Sequence, residues 1–316
     1  MPIKLSVAAI CAALVCAAEA QEFPNRPLRL VASEAGGGGD FSARLIALHI
    51  APLLGQPVVV ENRGGGVIAG DLVARSPADG HTLLLYGNTF WLLPLMRKSM
   101  PYDPLTDFAP VTLAARATNV LVVHPSLPVK SVKELIALAK ARPGALNYGS
   151  AAAGTVNHLS GELFKYMAGV EVVRIAYRGT ASVLNALMSG QVQLMFATTA
   201  SVTPHVRGGR LRPLAVTSLD RSALFPDLPS MSEAGLKGFE SVSLHGVFAP
   251  AKTPQAAINR LNGIIGQVLA QSEVRERLLT SGVEALSGPP AALAAAMSDE
   301  IARMGKVIRA AGIRDE

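Results

Sequence analysis

The sequence predicts an α/β fold in which two lobes, each a mainly parallel sheet flanked by helices, enclose a cleft. Three observations lead to this prediction. Short apolar runs alternate with segments whose apolar residues recur at helical spacing. Two turns rich in small residues each lead directly from such a run into a helical segment. Two segments that interrupt regular pairing divide the chain into three parts, which favours an inserted lobe.

Several short segments have the apolar, β-branched composition of strands, and longer ones have the apolar period of helices. The predicted strands are 28–32, 58–61, 82–86, 120–124, 146–148, 172–175, 194–196, 214–217 and 243–249. The predicted helices are 41–54, 67–74, 131–142, 156–167, 182–189 and 256–270. Residues 253–313 are predicted to be almost wholly helical, with an interruption at 287–290, and to form a packed cap.

Two segments are predicted to cross between the lobes. The first, 120–130, contains two prolines, and the second, 239–250, follows a turn-rich stretch. The predicted domains are a signal peptide at 1–20, the first part of lobe 1 at 21–123, an inserted lobe 2 at 124–244 and the second part of lobe 1 at 245–316. Such a pair of connections suits hinge closure around a small molecule.

Residues 1–20 have the pattern of a cleavable export signal. Lys4 precedes an apolar run, and Ala18-Glu19-Ala20 matches the pattern of a cleavage site. The run is shorter than the roughly 20 apolar residues of a membrane-spanning helix. Cys11 and Cys16 both lie inside this signal, so the mature chain is predicted to contain no thiol and no disulfide. A lipid anchor at Cys16 is disfavoured, because a bulky residue precedes it.

The charge balance excludes one class of partner. The chain has 29 Lys and Arg residues against 23 Asp and Glu residues, a net charge of +6. The basic residues are dispersed, with no run interleaved with aromatic residues, so we predict no nucleic-acid partner. A positive field of this kind attracts anionic ligands.

The two turns that lead from a strand into a helix form the candidate site. The first places four glycines, 36–39, ahead of Asp40, a suitable N-cap. The second, 150–155, leads into a helix with His158 in its opening turn. Helix starts expose unpaired N–H groups at the positive end of the helix dipole, which favours an anion. Two such turns facing each other therefore predict a clamp for a carboxylate.

Other chemistry is weakly supported. Residues 62–69 loosely fit the dinucleotide fingerprint, but no acidic residue follows at the expected distance, and Asp71 argues against a phosphate-binding loop. Ser150 lacks the second glycine of a nucleophile elbow. The six histidines have no metal-ligand spacing. We therefore predict no cofactor, no metal site, no catalytic residue and no enzymatic activity.

Individual side chains near the turns have competing interpretations. His158 and His245 are expected near the ligand, the second because it lies in a predicted crossing strand. Trp91, the single tryptophan, is assigned either to the cleft wall or to the core. Asp40 is interpreted first as a helix cap, and Arg44 as a solvated residue or a brace between the lobes.

Many segments resemble, in the same order, those of the periplasmic receptors of tripartite tricarboxylate transporters, the Bug or TctC-like family. They include AGGGGDFSARLIA, LGQPVVVENRGGG, ADGHTLLLYGN, MPYDPLTDFAPVTL, LVVHPSLPVKSVKELIALAKARPGALNYGS, NHLSGELF, IAYRGT and GVFAPAKTP. The resemblance covers the whole mature chain. It implies a two-lobed type II periplasmic-binding fold whose cleft holds a small organic carboxylate.

The resemblance and the turns together give a set of candidate ligand-binding residues. They are Gly36, Gly37, Gly38, Asp40, Asn88, Ser150, Ala151, Gly154, Thr155, His158, Tyr177, Thr198 and His245. The chain departs from the family pattern after the first strand, where Ala32 and Ser33 replace a proline and an aromatic residue and Glu34 adds a carboxylate. These departures leave the identity of the ligand open.

The resemblance also implies partners and a location. It predicts a periplasmic receptor that delivers its ligand to the membrane permease subunits of a tripartite transporter, and we expect a monomer. The alternative is a sensing module whose ligand-bound form docks on a sensor protein. An enzyme that requires Ser150 for acyl transfer is a weaker third alternative.

Overall fold

The structure of the chain is a computed structural model, which describes residues 23–33, 35, 38–64, 66–151 and 153–314. The predicted signal peptide, Glu34, Gly36 and Gly37 lie outside these residues. Strands and helices alternate along most of the described chain, in agreement with the α/β prediction. Within the described ranges, no helix combines the length and the apolar character needed to cross a bilayer.

An N-terminal group of three strands pairs in parallel. Strand β1 (Leu28–Ala32) lies between β2 (Val58–Asn62) and β3 (Thr82–Gly87). The helices of this group are α1 (Gly38–Leu54), α2 (Gly66–Ala74) and the short α3 (Thr89–Leu92), which continues into a 3₁₀ turn at Leu93–Leu95. Because the strands are parallel, their carboxyl ends, and therefore the starts of the helices that follow them, lie at one edge of the sheet.

A second parallel group comes from the middle of the chain. Strand β5 (Leu146–Ser150) lies between β6 (Val172–Ala176) and β7 (Leu194–Thr198). The group also contains α4 (Val132–Ala141), α5 (Val156–Ala168), α6 (Thr180–Met188), α7 (Thr199–Arg207) and β8 (Arg212–Val216). By the same geometry, α5 and α6 begin at the carboxyl edge of this group.

Two long antiparallel strands join the two groups. Strand β4 (Phe108–Val123) pairs with β9 (Val242–Pro250) over residues 108–118, and with β7 and β8 over residues 119–123. Because β9 also pairs with β3, the strand order is β2-β1-β3-β9-β4-β7-β5-β6. The sequence predicted only the last part of β4, since Pro110 and the polar residues after it weaken the strand pattern. The parallel pairing expected from the sequence is thus supplemented by antiparallel pairs, and the division at residues 123 and 244 stays a prediction.

The C-terminal region is mainly helical, as predicted. It contains α8 (Gln255–Ala270), α9 (Ser272–Thr280), a short strand β10 (Glu284–Ala285) that pairs with β4, and α10 (Pro290–Ala310). The two-residue strand β10 was missed because two residues carry no readable period. Helix α10 buries Leu293, Met297, Met304 and Ile308 at helical spacing and packs against β4 and α5.

The largest side chains form an aromatic cluster under the helices of the N-terminal group. Phe90 stacks on Tyr102 with ring centroids 5.1 Å apart and meets the edge of Phe108 at 4.8 Å. Trp91 packs beside this cluster against Phe248 and is only 1% exposed. Of its two interpretations, core packing is therefore the one that agrees with the structure.

Gly161 of α5 allows a test of how tightly the buried Tyr148 ring is packed. A methyl group added at Gly161 would stand 2.7 Å from Cζ of the buried Tyr148 ring, whereas one added at Gly263 in α8 would meet no atom within 4 Å. We expect Gly161→Ala to lower the free energy of unfolding by about 1–3 kcal/mol, because the ring must move. Gly263→Ala is the matched control and should be neutral or stabilising by up to about 1 kcal/mol. Urea titrations measure both, and equal stabilities would contradict the prediction.

Candidate functional site

A cavity of about 1250 Å³ opens where the helices of both strand groups begin. Its wall contains the first residue or the N-cap of α1, α2, α3, α5 and α6. These residues are Gly38, Gly66, Thr89, Thr155 and Thr180. The sequence predicted two converging helix starts, and the structure brings together five. The first N–H groups of a helix have no partner within the helix and lie at the positive end of its dipole, although the four-residue α3 contributes less to this field.

The first turn reaches the wall through Ser33, Gly38 and Gly39. A Cβ atom on Gly39 would stand 2.6 Å from Ser33 Oγ, so a side chain at this position would require the Ser33 hydroxyl group to rotate away. Gly36 and Gly37 lie outside the described residues.

Asp40 does not cap α1, because the helix already begins at Gly38. Its buried carboxylate accepts hydrogen bonds from Asn62 Nδ2 at 2.8 Å and pairs with Arg44 Nε at 2.8 Å. The same Asn62 amide donates to the Ser33 carbonyl oxygen at 2.7 Å. The hydrogen bonds of Asn62 to Asp40 and to the Ser33 carbonyl oxygen therefore stabilise the first turn. Neither Asp40 nor Asn62 lines the cavity. No pattern in the sequence indicated Asn62, because its partners are 22 and 29 positions away.

The second turn places Gly154 and Thr155 on the wall and His158 behind it. The N–H group of Gly154 donates to His158 Nδ1 at 3.1 Å, so this amide is used within the turn. Since Nδ1 accepts, the neutral ring carries its proton on Nε2, which lies 4.0 Å from Glu162 Oε1. Burial, reinforced by the charge of Arg174, lowers the pKa of His158 to about 4. His158 is thus a neutral support for the turn.

Ser150 and Ala151 do not line the cavity either. Arg174 donates from Nε to Ser150 Oγ at 2.7 Å and from Nη2 to the Ala151 carbonyl oxygen at 2.8 Å. The Ser150 hydroxyl therefore has a structural partner in place of the catalytic base that an acyl-transfer enzyme would need. Arg174 was not predicted, because its role depends on the pairing of β5 with β6.

Tyr177 and Thr198 lie outside the wall as well. Tyr177 packs against the apolar cluster of the middle strand group. Thr198 is the N-cap residue of α7, and its hydroxyl group donates to Ser201 Oγ at 3.0 Å. Neither residue lines the cavity, although the Tyr177 N–H group donates to the carbonyl oxygen of Ser150, another candidate, at 2.9 Å.

Asn88 and His245 do reach the wall, from β3 and β9. Among the described residues, His245 Nδ1 has no hydrogen-bond partner, and burial lowers the pKa of this ring to about 4. Its ring lies 3.8 Å and 3.9 Å from the positions that Cβ atoms would occupy on Gly39 and Gly38. A neutral His245 therefore closes the cavity beside the first turn.

Several wall residues were not predicted. Ser243 lies on β9, Thr180 is the first residue of α6, and Arg97 lies in the segment after the 3₁₀ helix. Arg97 is the one permanently charged side chain among the described wall residues. The described chain contains no group of three or more His, Cys, Asp and Glu side chains that could hold a metal ion. The arrangement is suited to non-covalent binding of an anion.

The two buried histidines of the site, His158 and His245, give it a pH dependence. The pKa of each ring is near 4 in the folded chain and about 6.5 in the unfolded chain, so the unfolded chain binds more protons between these values. Stability should therefore fall as the pH falls from 6.5 to 4.5, by up to about 2 kcal/mol for each histidine.

Urea titrations at pH steps measure this effect. His158→Gln and His245→Gln should each flatten the decline relative to the unmodified chain. Glu300, whose pKa burial raises, contributes with the opposite sign in all three proteins, so the difference in slope isolates the histidines. Three parallel slopes would contradict the assignment.

Comparison with known proteins places this geometry in a family. The family model described as "Tripartite tricarboxylate transporter family receptor" matches residues 42–313. Protein BugT of Bordetella pertussis is 36% identical over 309 residues, which cover 96% of this chain and 94% of BugT.

Two solved structures agree in fold. R. palustris Rpa4515 with adipate has 39% identity and a TM-score of 0.78, covering 93% of this chain and 99% of its own. MatC from Rhodopseudomonas palustris with bound malate has 32% identity and a TM-score of 0.73. The match covers 90% of this chain and 100% of the MatC chain. These matches confirm the predicted α/β periplasmic-binding fold. They also confirm the prediction that the chain is a binding protein and not an enzyme. The chain belongs to the receptor family of the tripartite tricarboxylate transporters.

Proposed function

We propose that this receptor captures a small organic carboxylate in the cavity and delivers it from the periplasm to the permease subunits of a tripartite transporter. The observation that carries the proposal is the convergence of five helix starts on one cavity. Backbone N–H groups at such positions favour a carboxylate over a neutral group, because their dipoles point the same way. The predicted export signal at 1–20 supports the periplasmic location.

The carboxylate is proposed to meet the N-terminal ends of α1 and α5. Gly38 and Gly39 bring bare backbone to one side of the cavity, and Thr155 brings a hydroxyl group to the other. The Thr155 side chain makes no capping hydrogen bond to its own helix. The Gly154 amide is committed to His158, so it supports the turn and is left out of the proposed contact.

A second acidic group on the ligand is supported by Arg97. Arg97 lies on the wall with Asn88 and Thr89. Its positive charge stabilises an anionic group that the backbone amides cannot reach. The relatives Rpa4515 and MatC are described with adipate and malate, both dicarboxylates, which agrees with a ligand that carries two acidic groups.

The proposed lobes offer a way to close. The wall residues of 33–97 and His245 belong to the proposed lobe 1, and those of 153–180 and Ser243 belong to lobe 2. The two sides already approach closely, since a Cβ on Gly154 would stand 2.9 Å from Met96 Sδ. A ligand that contacts both sides stabilises the closed state relative to the open one.

A thermal-shift screen of mono-, di- and tricarboxylates tests the proposed function. A ligand at a hundredfold excess over its Kd should stabilise the fold by about 2.7 kcal/mol. Thr155→Ala should weaken the best ligand by about 2- to 12-fold, the effect of one hydrogen bond. Thr280→Ala, on an exposed helix end, is the control. Failure of every acid to raise the melting temperature of ligand-free protein would contradict the proposal.

Arg97→Gln tests the second acidic group. Because the substitution removes a charge and keeps a polar side chain, we expect dicarboxylates to lose about tenfold in affinity and monocarboxylates less than about threefold. The loss should shrink as salt is added, since salt screens the charge. Arg207→Gln, on the exposed end of α7, is the matched control. Calorimetric titration measures the affinities, and equal losses for both classes of acid would remove Arg97 from ligand selection.

A further inference from the structure

Two glutamates of the described chain are buried, and each is held by hydrogen bonds. Glu300 on α10 accepts from Asn88 Nδ2 at 2.6 Å and from Trp91 Nε1 at 2.9 Å, which uses both of its oxygens. Glu162 on α5 is 7% exposed and lies one helical turn after His158, which is 4% exposed. Glu162 therefore stands next to a ring whose proton can occupy either of two nitrogens.

The Glu162 carboxylate has a fixed position. Its Oε1 atom accepts a hydrogen bond from the Tyr148 hydroxyl group at 2.5 Å. The Tyr148 ring on β5 is 1% exposed and packs so closely against α5 that it leaves no room for a methyl group at Gly161. Lys165 Nζ donates to Oε2 at 2.8 Å, but its side chain is 29% exposed, so water screens the charge of the lysine.

The neighbours of the two nitrogens of His158 select the same tautomer. The Gly154 N–H group donates to Nδ1 at 3.1 Å. Nε2 lies 4.0 Å from Glu162 Oε1, which is too long for a hydrogen bond but close enough for the buried negative charge to favour an N–H group there. A proton on Nδ1 would instead oppose the Gly154 N–H group and turn the Nε2 lone pair towards the carboxylate.

The hydrogen bond from Gly154 fixes the second turn at the cavity wall. Gly154 has a φ angle of +75°, in the left-handed region, and the next residue is Thr155. Both residues line the cavity, and Thr155 is the one proposed to meet the ligand carboxylate. A turn that is held at the Gly154 amide is ordered before the ligand binds, which lowers the conformational cost of binding.

We infer that Glu162 is a positioning residue for ligand binding: its buried charge holds His158 in the tautomer that accepts the Gly154 amide, and this bond fixes the second turn. The inference rests on the proposed function, since the second turn is one of the two that we assign to the ligand carboxylate. Glu162 does not line the cavity, so it acts on the ligand only through His158.

Glu162→Gln tests the inference, because it removes the charge and keeps an oxygen that accepts from Tyr148. Nitrogen NMR of histidine-labelled protein reports the tautomer of His158, whose signal is the one lost in His158→Asn. We expect the proton on Nε2 in the unmodified protein and a measurable share of the Nδ1–H form in Glu162→Gln. Calorimetric titrations with adipate, malate and citrate should show Kd raised by about 2- to 12-fold, the effect of one lost hydrogen bond.

A second substitution separates this effect from a general loss of packing. His158→Asn places an amide oxygen near the position of Nδ1, so it keeps an acceptor for Gly154 that needs no tautomer. Its affinity should stay within about threefold of the unmodified protein, and adding Glu162→Gln should change it by less than about twofold. Glu284→Gln is the matched control, because this glutamate pairs with Arg116 at 2.5 Å and lies outside the wall. Circular dichroism checks that the variants fold.

The outcomes are distinguishable. A proton on Nδ1 of His158 in the unmodified protein would overturn the inference without any variant. An unchanged tautomer in Glu162→Gln, or the same loss of affinity with and without His158→Asn, would also overturn it. All three results leave the proposed function intact, provided that the unmodified protein binds an acid. If neither these acids nor any in the thermal-shift screen bind, the proposed function fails and the inference fails with it.

Discussion

The antiparallel pairing of β4 with β9 is the constraint on which the cavity depends. Strand β9 places Ser243 and His245 on the wall and supplies the Val242 carbonyl oxygen that fixes Asn88. Strand β4 continues the same pairing into β7 and β8, so the carboxyl edges of two parallel groups come to one cavity. Each parallel group on its own places helix starts only at its own carboxyl edge. The antiparallel pair β4 and β9 links the two groups and thereby brings both edges to one cavity.

The site is built mainly from backbone, and most buried polar side chains near it are satisfied by the protein. Asp40 accepts from Asn62, Ser150 from Arg174, and His158 from Gly154. These bonds fix the shape of the turns before any ligand arrives, which lowers the conformational cost of binding. On the wall, Asn88 Oδ1 and His245 Nδ1 have no hydrogen-bond partner among the described residues.

Local patterns were sufficient to predict the α/β fold and the two turns, because glycines and small residues between a strand and a helix leave a short-range signal. They were insufficient for the orientation of side chains. The sequence places Ser150 and His158 next to the turn, but their partners, Arg174 and the Gly154 amide, follow from strand pairing and from the bend of the backbone. The prediction that Asp40 is the N-cap residue of α1 was wrong, because the helix already begins at Gly38. The other helix starts on the wall come together only through sheet topology.

The bond between Asn88 and Glu300 joins residues 212 positions apart. This bond therefore connects parts of the chain that are far apart in sequence. Such contacts form late in folding, because a long stretch of chain must first be closed into a loop. Helix α10 must therefore pack against the N-terminal strand group before the Asn88 side chain is held in place, so this part of the cavity wall is completed only when distant parts of the chain have folded together.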